Sequence, residues 1–221
     1  LSYFSPFILA MNATASQVGV LYALTNLLPS LIQLKAPSLI EKFSRKQIVT
    51  TIISLRLFLC IPIFLSAFLF YLGVPNMVWA TILFIGLSYG IMAIGYPVWF
   101  SWIGSLVPEN QRGHYFSKRN RVVSFVGIIT LVSGAILLDY FKKLGVRFGD
   151  PIGFTLMGFG ILFLFAVISR IWSLKLLRKH YEPRLKIRKK DEFSFKSFIK
   201  RAPETPFGRF SIFRGFFSIA L

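Results

Sequence analysis

The chain has 221 residues, 55% of them hydrophobic and only 15% charged, with a mean hydropathy of +0.65. Water-soluble domains carry about 25% charged residues, so these values exclude an ordinary soluble fold and point to a multi-spanning α-helical membrane protein. The formal net charge of +18 sits in three segments between apolar runs rather than in one patch, which argues for membrane lipid head groups as partners and against nucleic acid.

Taken in order, residues 1–11 read as the outer end of a first helix, too short to span a bilayer at about 1.5 Å rise per residue. Residues 12–16 form a tight turn, with Ser16 as the N-cap of the second helix. That helix is expected over 17–40, interrupted by Pro29 and Pro37, which membrane helices tolerate. A charged turn comes next, over 41–47. The third helix covers 48–72 and carries Arg56 and Pro62. An uncharged turn leads to the fourth helix, 77–106, with Gly86, Gly90 and Gly95. Residues 102–121 form a polar, basic loop between two long apolar runs. The fifth helix covers 118–140, with Gly127 and Gly134 on one face for close packing. Residues 141–151 read as a turn, and the sixth helix as 152–177.

A basic segment, 178–209, comes after it, and 210–221 starts a seventh helix. The domain reading is therefore a bundle over 1–177, a connector over 178–209 and a further helix start over 210–221. The apolar runs are continuous, whereas barrel strands alternate, so the fold class is all-α integral membrane. Both ends read as cuts, which makes the chain a fragment. Lysine and arginine concentrate in the 41–47 turn, the 102–121 loop and the connector. The positive-inside bias therefore puts these, and the N-terminus, on the cytoplasmic side, in the cytoplasmic membrane of a prokaryote.

Cys60 is the single cysteine, and His114 and His180 stand apart from other ligand types. No disulfide within the chain, no metal site and no cofactor are expected. Membrane enzymes need paired acids, a nucleophile with its base, or a metal; the eight acids form no such set at mid-depth. A lipid-modifying enzyme, or a non-transporting adaptor of the same fold, is the alternative reading.

Three stretches resemble the major facilitator superfamily of secondary transporters. The first is Pro37 followed by Glu41-Lys42-Phe43-Ser44-Arg45-Lys46, which keeps the charges of that superfamily's turn between helices two and three but replaces its two glycines by Pro37 and Ser44. The second is LVPENQRGHYFSKRN, similar to the loop between helices four and five. The third is FSFKSF followed by FGRFSIFRGFFSIAL, similar to the approach to helix seven. The resemblance implies the N-terminal six-helix bundle of a twelve-helix fold, truncated at both ends. It also implies alternating access around a small-molecule substrate, with the C-terminal half of the same chain as partner. Two features depart from the pattern. Gly86 stands where many members have a helix-four arginine, and no proline follows the fifth-helix glycines, so the drug–proton relay is not implied.

The gating set is then Glu41, Lys42, Arg45, Lys46, Glu109 and Arg112. Glu41 is expected to accept from a helix N-terminus or an arginine, and Arg45 to pair within the same cluster. Arg119 and Arg121, read as opening helix five, oppose its macrodipole and need Glu109 or lipid phosphate as an offset. Candidate cavity-lining residues are Tyr22 and Asn26 on helix two, Arg56 on helix three, and Tyr89, Tyr96 and Trp99 on helix four. Arg56 is the most informative, because a charge at the bilayer centre costs about 2.5–3.5 kcal/mol on insertion scales. It must face the bundle or snorkel.

Overall fold

Long apolar runs satisfy their backbone internally only as helix when water is absent. The computed structural model accordingly contains no strand among the described residues, 3–33 and 36–183, the side chains of Pro37 and Glu41 excepted. The helices are α1 (Phe4–Ala10), α2 (Ala15–Ile32), α3 (Ala36–Lys42), α4 (Arg45–Tyr71), α5 (Met77–Leu106), α6 (Arg112–Phe148) and α7 (Pro151–Lys179). A 3-10 turn, Glu109–Gln111, precedes α6. Five of these segments, α2 and α4 to α7, are long and apolar enough to cross a membrane. The connector beyond residue 183 and the expected helix-seven start lie outside the described residues.

The connections use local capping chemistry. After α1, Asn12 adopts φ +57, and the Ala13 amide reaches Ile8 O at 3.0 Å while the Asn12 amide reaches Leu9 O at 3.0 Å. This is a Schellman ending with asparagine in the left-handed position. Thr14, not Ser16, caps α2: its Oγ1 accepts from the Gln17 amide, and Gln17 Oε1 accepts from the Thr14 amide at 2.9 Å. A threonine with glutamine three residues later is the capping box. Gly73, at φ +83, ends α4 in the same left-handed way.

The second helix is two segments. α2 runs through Pro29 to Ile32, and α3 restarts at Ala36. The charged turn expected over 41–47 is much shorter, because Ser44 and Gln47 form a second capping box and α4 starts at Arg45. The polar stretch 102–121 is largely helical. α5 runs to Leu106 and α6 begins at Arg112, six residues before the expected start. Contacts on the α5 side explain the early start. Phe116 stacks on Phe100 at 4.4 Å between centroids, and the Arg119 guanidinium lies 4.4 Å over the Trp99 ring. Residues 116 and 119 share a helix face, so both contacts need this stretch to be helix.

α6 also runs past residue 140 to Phe148, so the expected 141–151 turn shrinks to Gly149 and Asp150. A Cβ at Gly145 would stand 2.7 Å from Pro151 Cα; only glycine lets α7 turn back this tightly. Asp150 caps α7 through the Gly153 amide at 2.9 Å and accepts the Tyr71 hydroxyl at 2.8 Å. That carboxylate ties the end of α4 to the start of α7.

α5 is the central helix. It packs on α2, α3 and α4, while α6 packs on α7 and α7 on α4. Gly90 of α5 meets Leu28 and Ile32 of α2 so closely that a Cβ would come within 2.8 Å of both. Apolar burial divides into two layers. One holds Phe7, Leu21, Ile63, Ile85 and Phe159; the other, toward the α4 N-terminus, holds Ile48, Ile52, Val98, Trp102 and Leu174. Of the two fifth-helix glycines, Gly134 lies against Tyr3, whereas Gly127 has open space beside it.

Candidate functional site

Between the two apolar layers lies a cleft of about 1000 Å³, lined by residues of α1, α4, α5, α6 and α7 together with Tyr3. Arg56 projects into it from α4. Its Nε donates to Ser88 Oγ on α5 at 3.1 Å, and its guanidinium stands 5.7 Å from the centre of the Tyr89 ring. Arg56 thus turns toward the bundle rather than out to lipid. Because α4 begins at Arg45, Arg56 lies about three turns into the helix, deeper than the expected start at residue 48 implied. Tyr3, before α1, donates its hydroxyl to the Leu131 carbonyl of α6 and also lines the cleft.

A second arginine, Arg170 of α7, lines the same cleft. Sequence reasoning missed it. The signal was present as a single cation deep in the sixth apolar run, the same signal that marked Arg56. No acidic residue lines the cleft among the described residues. Arg56 is half-buried there, and Arg170 is exposed.

Four other cavity candidates stand elsewhere. Tyr22 and Asn26 share a face of α2, but it is the exposed one; Leu21 and Thr25 are the buried residues of that helix. Asn26 Nδ2 donates to the Tyr22 carbonyl of its own helix at 2.7 Å rather than to a neighbour. Tyr96 is 61% exposed and is not part of the cleft lining. Trp99 carries the Arg119 guanidinium on its ring face. Tyr89 alone among the helix-four aromatics lines the cleft, in edge contact with Phe4 at 6.0 Å.

At the end of the bundle where α4 begins, a second polar arrangement is assembled. Arg45 is 2% exposed. Its Nη1 donates to Ser101 O at 3.0 Å and its Nη2 to Pro183 O at 2.8 Å. Its backbone amide donates to Glu182 Oε1 at 2.6 Å, and its Nε lies 3.7 Å from the same oxygen. A carboxylate at a helix N-terminus satisfies an orphan amide and opposes the positive end of the dipole. Lys46 Nζ donates to His180 O at 2.8 Å, and Trp102 Nε1 to Tyr181 O at 3.1 Å. Four successive residues after α7, 180 to 183, are thereby fastened to α4 and α5.

The expected partner of Arg45 lay in the 41–46 cluster; the observed one is Glu182, 137 residues on. Only folding brings that acid to the α4 N-terminus. Lys42 ends α3 and is exposed, and the Glu41 side chain lies outside the described set. Glu109 pairs with Arg112 at 3.4 Å, and Arg112 Nε returns to Val107 O at 3.2 Å. The dipole conflict expected of Arg119 and Arg121 therefore falls on Arg112, and Glu109 offsets it there.

Neither a curated protein nor a solved structure gives a match to the chain. The family model described as Major Facilitator Superfamily matches residues 1–221. With five apolar helices able to cross a bilayer and a cleft between them, the chain is an integral multi-pass membrane protein that belongs to the major facilitator superfamily, a family of membrane transporters.

Proposed function

We propose that the chain takes part in secondary active transport of a small solute by alternating access. The observation that carries this reading is the match of the Major Facilitator Superfamily model over residues 1–221, on helices long and apolar enough to span. Transporters of this architecture bind substrate near the bilayer midplane, between parts that rock about it. In this reading residues 1–177 form one half of a twelve-helix fold, and 178–209 connect it to the other.

The basic end of the bundle would face the cytoplasm, following the positive-inside rule. Arg45, Lys46, Glu109 and Arg112 would hold that end closed in one state, with Glu41 and Lys42 beside them. Charged contacts at a water-exposed end break into solvent at modest cost, which suits a gate that opens each cycle.

Reconstitution of the intact protein into vesicles tests the transport reading. Protein-dependent solute counterflow is expected, with Glu41→Ala slowing it at normal protein level; unchanged uptake in that variant would remove Glu41 from the gate. Orientation is tested separately in a Cys60→Ser background. Single cysteines replacing Arg112 and Lys189 should label from the same side of the membrane.

A further inference from the structure

We infer that the opening turns of α6, residues 112–121, are a detachable helical strap. They are helix only while Phe116 and Arg119 rest on the rings of Phe100 and Trp99, and they unwind as one unit when those contacts part. The device stands or falls independently of transport.

This stretch is a poor helix by itself. Gln111 at the N-cap makes no side-chain hydrogen bond, and the first turn holds no acid. Arg112 opens the helix against the positive end of its dipole. Lys118 and Arg121, three apart on one face, repel each other. Gly113 is, after proline, the poorest helix former. Glu109 answers Arg112 across an exposed pair, and such pairs are worth little.

The other support of α6 stops short of this stretch. α6 packs along α7. A Cβ at Gly134 would meet Leu162, and one at Gly145 would meet Pro151, so eleven residues along α6 answer eleven back along α7. In that register Lys179, the last residue of α7, is level with Ser117. Residues 112–116 therefore run past the end of α7.

What meets them is α5. Phe116 stacks on Phe100 with centroids 4.4 Å apart and planes 10° from parallel, and the Arg119 guanidinium lies 4.4 Å over the Trp99 ring. Arg112, Phe116 and Arg119, on one helix face, are the half-buried residues of this stretch. The α5 platform is held in place. Val98 and Trp102 are buried, and Trp102 Nε1 donates to Tyr181 O at 3.1 Å. The start of α6 is thus the part that leaves.

Release is all-or-none for a geometric reason. Residues 116 and 119 reach one edge of α5 only as successive turns of helix, so losing the helix ends both contacts together. The stretch precedes the apolar run that starts at Val122, and its freed backbone groups turn to water rather than lipid. Unwinding lengthens the α5–α6 connection from residues 107–111 to residues 107–121.

Hydrogen exchange of the intact protein in detergent tests the strap, read on the amides of residues 116–121. Amides before 116 have no intrahelical acceptor in either state. In wild type the 116–121 amides should be protected. Phe100→Ala, which alters the platform alone, should speed their exchange about tenfold or more while the amides of 126–138 change less than about twofold. Phe116→Ala and Arg119→Gln should act in the same way, and they keep the test readable if the α5 variant does not fold. Gln111→Asp supplies an N-cap and a negative charge at the helix start without touching the rings. In the Phe100→Ala background it should restore protection. Open-chain exchange at 116–121 in wild type, protection unchanged by the ring variants, a loss spread equally over 126–138, or no rescue by Gln111→Asp would overturn the strap.

Discussion

Glu182 Oε1 accepts the backbone amide of Arg45 at 2.6 Å and stands 3.7 Å from the Nε of the same residue. One carboxylate thus answers both the helix N-terminus and the buried guanidinium. Breaking a buried charged pair from the arginine side would leave the Ser101 and Pro183 carbonyls without their donor as well. Arg45→Ala is therefore expected to cost about 3–5 kcal/mol. Glu182→Gln keeps an acceptor for the Arg45 amide but leaves the buried guanidinium to the Ser101 and Pro183 carbonyls alone, and should cost about 2–3 kcal/mol. Thermal unfolding in detergent, followed by tryptophan fluorescence, should rank the two variants in that order; equal losses would mean that the amide contact contributes little.

Gly145 and Gly127 make a matched pair on α6. A methyl at Gly145 meets the Pro151 Cα at 2.7 Å and the Asp150 carbonyl at 2.9 Å, both backbone atoms that cannot rotate away. Gly145→Ala should destabilise by about 1–3 kcal/mol or more. Gly127→Ala meets nothing within 4 Å and should stay within about 1 kcal/mol of wild type, with any change on the stabilising side from helix propensity. The pair is read by the midpoint of thermal unfolding for each variant.

Tyr71 and Asp150 join the end of α4 to the start of α7. Tyr71→Phe removes one hydrogen bond and should cost about 1 kcal/mol. Asp150→Ala removes that bond and also the N-cap of α7, for a total of about 2 kcal/mol. The double variant should lose less than the sum, with a coupling of about 0.5–1 kcal/mol measured in a double-mutant cycle. Strict additivity would show that the hydroxyl and carboxylate do not interact in the membrane.

The Glu109–Arg112 pair is a control. Its side chains are 88% and 42% exposed, and exposed pairs three apart on a helix are worth little. Glu109→Gln should shift stability by less than about 0.5 kcal/mol, read in the same unfolding assay. A loss several times larger would require a structural role for Glu109 beyond this contact.

The spans were legible because lipid solvent leaves a simple record: a long run without charge. Hence the third and fourth helices were found to within a few residues. Their ends were less legible where capping decided them. Gln47 gave no apolar signal, yet its exchange with Ser44 starts α4 at Arg45. The polar stretch around Phe116 was misread for the opposite reason. Its residues look like loop by hydropathy, and only the ring of Phe100, across the turn, makes helix the better state. Arg56 stood out as a lone charge in an apolar run. Arg170 carries the same mark in the sixth apolar run, and the fold places it on the lining of the same cleft. Glu182 could not have been chosen from sequence, because its value depends on the return of α7 to the first turn of α4. Tyr22 and Asn26 share a face of α2, as their spacing requires, and that face is exposed.

The anchoring of residues 180 to 183 has a mechanical consequence. A tug on the chain beyond Pro183 does not simply lengthen α7. It is delivered through Arg45, Lys46 and Trp102 to the opening turn of α4 and the closing turn of α5. Those are the helices that carry Arg56 and Ser88 about midway along their length, so tension outside the bilayer has a rigid lever to its middle.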